Sequence, residues 1–296
     1  MRKLNIAVLI RSVVDSRVPL PPDVYGEKPL PEGMISIVNP ADWFALECAL
    51  NLRNQMNRSQ IVAIALGGEE AEESLRWCLA AGAERALRIW DRSLVEADQL
   101  GRGKAVAAVL TRSKPDLILC GDGCLDQINS LLPGVAASAA GLSYVPGVAR
   151  IEKVEHGMAV VVRKLEKGKR ERVMVKLPAL IAIEEAGGVP SCDADLPGLI
   201  AAFTQPMPCK GLSCLGLSPE RAGSRGAKVN NVMTRVSRPI TARPVTPDHR
   251  LPAEQRLRKI LAGGVVRKQG EVITGTPEQL ADRIIEFFRS EPVVML

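Results

Sequence analysis

The residues best placed to do chemistry in this chain sit in glycine-containing turns that follow short apolar runs. Gly121-Asp122-Gly123-Cys124-Leu125-Asp126 comes directly after Asp116–Cys120. If that run is a parallel strand, the turn lies at its carboxyl end, which is where open α/β sheets bind ligands. A plain Gly/Asp turn is the equal alternative. Gly67-Gly68 follows a second run, Gln60–Leu66, and precedes a helical pattern, so backbone N–H groups there could meet an anion. Such turns also carry glycine for conformational reasons alone. No Gly-x-Gly-x-x-Gly follows the first apolar run, and no Gly-Lys-Ser/Thr phosphate loop occurs.

Acid–base and metal chemistry find little to work with. The only histidines are His156, next to Glu155, and His249, between Asp248 and Arg250; both read as surface positions. No Ser-His-Asp or Cys-His set can be assembled, so a general base would have to be a carboxylate or a lysine. Seven cysteines are present without a Cys-x-x-Cys pair, and with two histidines they give poor support for a closed zinc site. Cys48, Cys78 and Cys120 lie in apolar stretches and read as buried thiols of a reducing compartment. From the residues alone the chain reads as a nucleotide-sized binding fold with no visible catalytic set.

Composition narrows the class further. The 296 residues are 46% hydrophobic, enough for one large or two modest globular domains and too many for global disorder. Aromatic residues make up 3%, which argues against a base-stacking surface. No apolar run approaches the ~18–20 residues needed to span a bilayer. The opening Met1-Arg2-Lys3 and the apolar stretch Leu4–Ile10 read as a first strand and not a signal peptide, so the expected location is cytoplasmic, without membrane insertion.

The net charge of +6 is unevenly spread. Between Lys210 and Lys268 there are thirteen Lys/Arg against Glu220, Asp248 and Glu254, a local +10, which leaves the remainder at about −4. Pro239, Pro244, Pro247 and Pro252 break up that stretch, so it reads as an extended basic arm. It could bind nucleic acid, lie on an acidic protein partner, or serve as a solvated linker. It holds no aromatic residue and no nucleic-acid-binding motif, which favours the protein partner over nucleic acid.

The elements that must position these residues follow from patterning. Leu4–Ile10, Gln60–Leu66, Ala86–Trp90 and Asp116–Cys120 are short, almost wholly apolar runs of the kind buried on both faces of a parallel sheet. Between them, Asn39-Pro40-Ala41-Asp42 starts a helix with a cap, a proline and an acid, and Glu69–Glu73 starts another. Further helices are expected over Leu94–Arg112 and Leu131–Ala140. From about Ala149 the pattern changes, and Met158–Arg163 with Arg170–Val175 predicts a β-hairpin, followed by a strand over Pro178–Ile183. Thr276-Pro277-Glu278-Gln279 is a capping box opening a last helix with Leu280, Ile284, Ile285 and Phe288 on one face.

Five stretches, taken in order, resemble the beta subunit of electron transfer flavoprotein. Val8-Leu9-Ile10-Arg11-Ser12-Val13-Val14-Asp15 is similar to that family's first strand and Val-Lys-x-Val-x-Asp turn. Val38-Asn39-Pro40-Ala41-Asp42-Trp43-Phe44-Ala45-Leu46-Glu47 resembles its Asn-Pro-x-Asp-x-x-Ala-x-Glu segment, and Ala80–Ala86 its Met-Gly-Ala-Asp-Arg-Ala. Asp116–Gly121 and Lys176–Ile181 match in type and order. The resemblance covers residues 1–205 and echoes in the last helix.

This resemblance implies an α/β, parallel-sheet, adenine-nucleotide-binding (Rossmann-like) domain over 1–205 with a hairpin near 158–176. A basic Pro/Gly-rich arm over 206–275 and a C-terminal helix over 276–296 would follow. It implies an electron carrier and not an enzyme, a heterodimer with an alpha subunit that holds most of the FAD, passing electrons from a flavin-dependent dehydrogenase to a quinone-linked or soluble acceptor. AMP, or a second FAD, would lie near Leu9, Asn39, Asp42, Leu66 and the Cys124–Gly134 loop, which includes Asn129, Ser130 and Gly134. Gly67 and Asp126, marked above from the residues alone, fall in or beside that region. The family's phosphate loop runs Asp-Gly-Asp-x-x-Gln-Val/Thr-Gly-Pro; here Asp126 remains, but Ile128, Leu131 and Pro133-Gly134 replace the second acid, the Gln and the Gly-Pro. Leu131 makes no polar contact and Pro133 has no N–H. Leu196 keeps the position of the family's dehydrogenase-docking leucine, without the lysines that follow it there. The alternative is a stand-alone adenine-nucleotide-binding or hydrolysing protein of the same fold, which would need a working phosphate grip.

Overall fold

In a computed structural model the chain divides into two units, Met1–Val236 and Ser237–Leu296. Residues 3–15, 17–18, 34–56, 59–95, 97–126, 130–185, 194–223, 228–229, 249–261 and 273–290 are described. Asn129, among the expected site residues, lies outside them.

In the first unit, β1 (Leu4–Ile10), β2 (Ser12–Val14) and β3 (Ser36–Val38) precede α1 (Pro40–Met56). Then β4 (Ser59–Leu66), α2 (Glu69–Ala80), β5 (Arg85–Ile89), α3 (Gln99–Ser113), β6 (Leu117–Gly121) and α4 (Leu132–Ala140) alternate. β7 (Ser143–Glu155), β8 (Met158–Lys164), β9 (Arg170–Lys176) and β10 (Ala179–Ile183) follow, and α5 (Leu196–Thr204), β11 (Cys209–Lys210) and α6 (Pro219–Ala222) complete it. The main sheet runs β11-β5-β4-β1-β6-β10-β7-β8-β9, parallel from β11 to β7 and antiparallel from β7 to β9. It is a Rossmann-like α/β sheet carrying the expected hairpin, with β2 and β3 as a separate antiparallel pair.

Residue parity explains why β1 is apolar without interruption from Ile6 to Ile10. Ile6, Val8 and Ile10 join the core that includes Leu46 of α1 and Leu75 of α2. Ala7 and Leu9 join the opposite core with Val106 and Leu110 of α3 and Ala136 of α4. A strand covered on both faces has no polar side. β6 and β10 are buried at every residue for the same reason.

Three boundaries differ from the sequence expectation. α3 starts at Gln99, not Leu94, because Asp91 closes a separate 3-10 turn over Arg92–Leu94 and Asp98 caps the helix proper by accepting from Gly101 N–H at 2.8 Å. β7 starts at Ser143, ahead of the change expected at about Ala149, because it first runs parallel to β10; its antiparallel pairing with β8 begins at Val148. Residues 206–223, grouped by composition with the basic arm, follow the sheet edge: β11 pairs with β5, and Leu212, Leu215 and Ala222 are buried in the α3/α4 core.

In the second unit, α7 (Ala253–Leu261) and α8 (Pro277–Ser290) are the described elements. α8 opens as the capping box predicts, with Thr276 N–H donating to Gln279 Oε1 at 3.1 Å and Gln279 N–H to Thr276 Oγ1 at 3.5 Å. Among the described residues no helix is long and apolar enough to cross a membrane.

Candidate functional site

The chain leaves β1 for β4 on one side and returns through β6 on the other, so a crevice opens at the carboxyl ends of β1 and β6. Arg11 is the first residue beyond β1 and occupies the middle of it. Its Nε and one terminal nitrogen donate to the two carboxylate oxygens of Asp42 at 2.9 and 2.7 Å, a bidentate pair. The same terminal nitrogen donates to the carbonyls of Gly121 (2.9 Å) and Gly123 (2.7 Å), and the other to Ser130 Oγ at 3.0 Å. Burial works against the guanidinium charge, but the attraction and hydrogen bonds of Asp42 outweigh it and hold the pKa above its ordinary value.

Asp42 lies in the first turn of α1, placed by Asn39-Pro40, and its side chain is fully buried. It also accepts from the backbone N–H of Arg11 (2.9 Å) and of Gly121 (2.7 Å), tying β1, α1 and β6 to one carboxylate. Gly121 is glycine for a visible reason. A Cβ there would stand 2.5 Å from the Ala41 carbonyl carbon and 2.7 Å from Asp42 N. Asn39 makes the second tie: its amide donates to the Gly123 carbonyl at 2.9 Å, and its side-chain oxygen accepts from Leu125 N–H at 3.1 Å.

The other expected residues scatter around this joint. Cys124 donates its thiol to Asp126 at 2.9 Å, and burial together with that carboxylate pushes the thiol up to about 11, far from a reactive thiolate. Ser130 meets Arg11, and Gly134, in the first turn of α4, faces the ring of Tyr144. Leu9 is core, directed at α3 and α4. Leu66 ends β4, and the Gly67-Gly68 turn is closed locally, Gly68 N–H donating to Glu70 Oε1 at 2.8 Å. Leu196 lies elsewhere, at the start of α5 and 69% exposed. Asn39, Asp42, the Cys124 turn and Ser130 thus converge, while Gly67 and Leu196 belong to other places.

Sequence reasoning missed the residue at the centre. Arg11 had a signal, a lone cation directly after an all-apolar strand. Tyr144 was missed as well, while Asp122 lies in the turn singled out from sequence; burial raises both pKa values above their ordinary range, and for Asp122 the neighbouring Glu184 adds to it. Among the described residues no group of three His, Cys, Asp or Glu side chains could hold a metal. The side chains of Arg11, Asp42 and Asn39 all bond to atoms of this chain, so the cluster joins β1, α1, β6 and the turn after β6.

A model of the electron transfer flavoprotein domain family matches residues 32–196. The chain is 30% identical over 193 residues to the electron transfer flavoprotein subunit beta of Methylophilus methylotrophus, spanning 64% of this chain and 73% of that one. It is 32% identical over 193 residues to the caffeyl-CoA reductase-Etf complex subunit CarD of Acetobacterium woodii, at 65% and 72%. It is also 29% identical over 221 residues to the electron transfer flavoprotein subunit beta of Bacillus subtilis, at 74% and 83%. With the sheet order, the α1 start and the β6 turn in place, the chain belongs to the electron transfer flavoprotein beta-subunit family.

Proposed function

We propose that this chain is the beta-type subunit of a heterodimeric electron transfer flavoprotein, passing electrons from a flavin-dependent dehydrogenase to a quinone-linked or soluble acceptor. The family match across the sheet domain carries this reading. FAD held mainly by an alpha subunit supplies the redox chemistry when bound. This chain's part is to shape the subunit interface and to present a docking surface, neither of which needs an acid, a base or a metal.

The α5 face supports that role. Leu196, Ile200 and Phe203 are 69%, 58% and 43% exposed along one helix, beside Trp77 of α2 at 41%. Apolar residues spaced i, i+4 and i+7 fit a partner's groove, and α5 is anchored to present them. Asp195 caps its start, and Arg76 donates to the Ala202 and Gln205 carbonyls at 2.6 and 3.0 Å at its end. The Acetobacterium relative is by name a subunit of a reductase–Etf complex, a precedent for such docking.

The test is mild affinity purification of the full chain from its native cells, reading stoichiometry and visible absorbance together. A yellow complex near one-to-one with a second subunit is the expected result. A colourless chain recovered alone would end the reading.

A further inference from the structure

The sequence resemblance implies a nucleotide at the β1/β6 crevice, and the described residues do not fit its phosphate. Phosphates at such edges are held by free helix N-termini and uncommitted cations. Four helices begin at this end of the sheet, and each start is occupied or blunted by the chain's own atoms. α1 begins with Pro40, which has no N–H, and its Asp42 and Trp43 N–H groups both donate to the Asn39 carbonyl. At α2, Glu70 takes the Gly68 N–H. At α3, Asp98 takes the N–H of Gly101 and those of Lys228 and Val229, at 2.8, 2.7 and 3.1 Å. At α4, Gln99 Oε1 takes the Leu131 N–H at 2.5 Å, Pro133 in the first turn has no N–H, and Leu131 is 62% exposed without offering a polar group.

Charge points the same way. The cation in the crevice, Arg11, is already paired with Asp42 and bonded to two carbonyls and Ser130. The turn after β6, residues 121–126, carries two carboxylates and no cation of its own, with Arg163 acting on Asp122. Asp122 follows β6 directly and Asp126 is four residues on, so a phosphate dianion would approach carboxylates.

We infer that the Arg11–Asp42–Gly121 latch fills the crevice, and that this chain folds and functions without a nucleotide of its own. Arg11 and Asp42 together tie β1, α1, β6 and Ser130; the resemblance puts a lysine and an aspartate at these two positions as well, so the departure from a phosphate grip lies at the α4 start, in Leu131 and Pro133. The inference does not rest on the electron-transfer reading, since it concerns this chain whether paired or alone.

Two measurements test it on the full chain as purified, with its partner subunit where one co-purifies. The first releases bound small molecules with acid and counts adenylates and flavins by chromatography. One FAD per heterodimer with no AMP, ADP or ATP is expected. Two nucleotides per heterodimer, whether AMP plus FAD or two FADs, would overturn the latch. No nucleotide at all would support it while sinking the electron-transfer reading, so the two failures are distinguishable. The second measurement heats the protein with AMP, where an unchanged Tm is expected in about 1 mM AMP and a site of about 1 µM affinity would raise it by several degrees. Such a rise would overturn the inference. Replacing Leu131→Gln and Pro133→Gly together restores an amide and an N–H donor; a rise in Tm with AMP in this variant alone would support it.

Discussion

Arg11 and Asp42 show what a buried ion pair needs in order to persist. Taking two charges out of water costs several kcal/mol each, and attraction repays this only where the remaining donors and acceptors are also matched. Here they are: Asp42 accepts from two backbone N–H groups besides the guanidinium, and Arg11 spends its other donors on carbonyls and Ser130. Asp42→Ala strands a buried cation and two N–H groups, and should lower unfolding free energy by about 3–5 kcal/mol in chemical denaturation. Arg11→Met should cost a similar amount, and the double variant clearly less than the sum, a coupling that a double-mutant cycle reads directly. A sum that is simply additive would mean the pair does not act as a unit. Asp122 behaves oppositely. Burial, with Glu184 nearby, raises its pKa in the folded state above the ordinary 3.8, so the native protein binds that proton more tightly than the unfolded chain does. Its contribution to stability therefore falls as pH rises from the unfolded value through the folded one, and stays lost above it. Asp122→Asn should be more stable than the parent at pH 7, with the difference closing as pH drops toward 3. Equal pH profiles for the two proteins would refute this. The latch was only half legible in the sequence. Asn39 and Asp42 stand out as a helix start, and as site residues only through the resemblance of the Asn-Pro-x-Asp segment, whereas Arg11 is one cation among 39 Lys/Arg and only its partner's position gives it meaning.

Elements were legible where a local pattern carried them. β1, β4 and β6 are mostly apolar on both faces, so short runs give them to within a residue or two, and β5 is found the same way from Ala86, Leu87 and Ile89 despite Arg88. β11 could not be read that way. Its two residues, Cys209 and Lys210, form a strand only because β5 lies alongside. α5 carries no helix expectation in the sequence patterning, although Asp195 followed by proline in the first turn is itself a helix signal. What fixes α5 is tertiary: Arg76 bridges Glu72 at 2.8 Å and the last carbonyls of α5, with its guanidinium 5.9 Å from the Phe203 ring centre. Arg76→Ala should therefore loosen α5 before the rest of the molecule. Hydrogen exchange at the Ala201–Thr204 amides is expected to speed up at least about tenfold, with little change in β1 or β6. Uniform acceleration across the sheet would show that Arg76 supports the core and not this helix. Leu196→Ala, by contrast, removes a side chain 69% exposed and should leave Tm within about 1–2 °C. Any loss it causes should appear in turnover with the dehydrogenase proposed above to dock on this face.

At the scale of the molecule, both cores close within the first unit. Among the described residues their last buried contributor is Ala222, and the parallel sheet, the antiparallel extension and the Arg11–Asp42 latch all lie before it. The Pro- and Arg-rich composition after that point gave the arm its character, but composition cannot say where an edge segment stops packing; Leu212, Leu215 and Ala222 decide that, as buried residues between 206 and 223. The second unit offers less to hold itself together. α7 has nine residues and α8 fourteen, lengths at which an isolated helix is marginal in water. Their ion pairs, Glu254–Arg258 and Arg283–Glu286, are exposed, and Leu257, Ile284 and Ile285 are 61%, 57% and 48% open to solvent. Such helices gain stability by covering their apolar faces, whereas the first unit already has its own cores. A chain ended after Val236 should consequently fold with a Tm within a few degrees of the full protein and keep its cooperative transition. Circular dichroism should lose only the helical signal that α7 and α8 contribute. Loss of the transition in the shortened chain would mean that residues 237–296 complete the first unit's core, and the division between the two units would have to be redrawn.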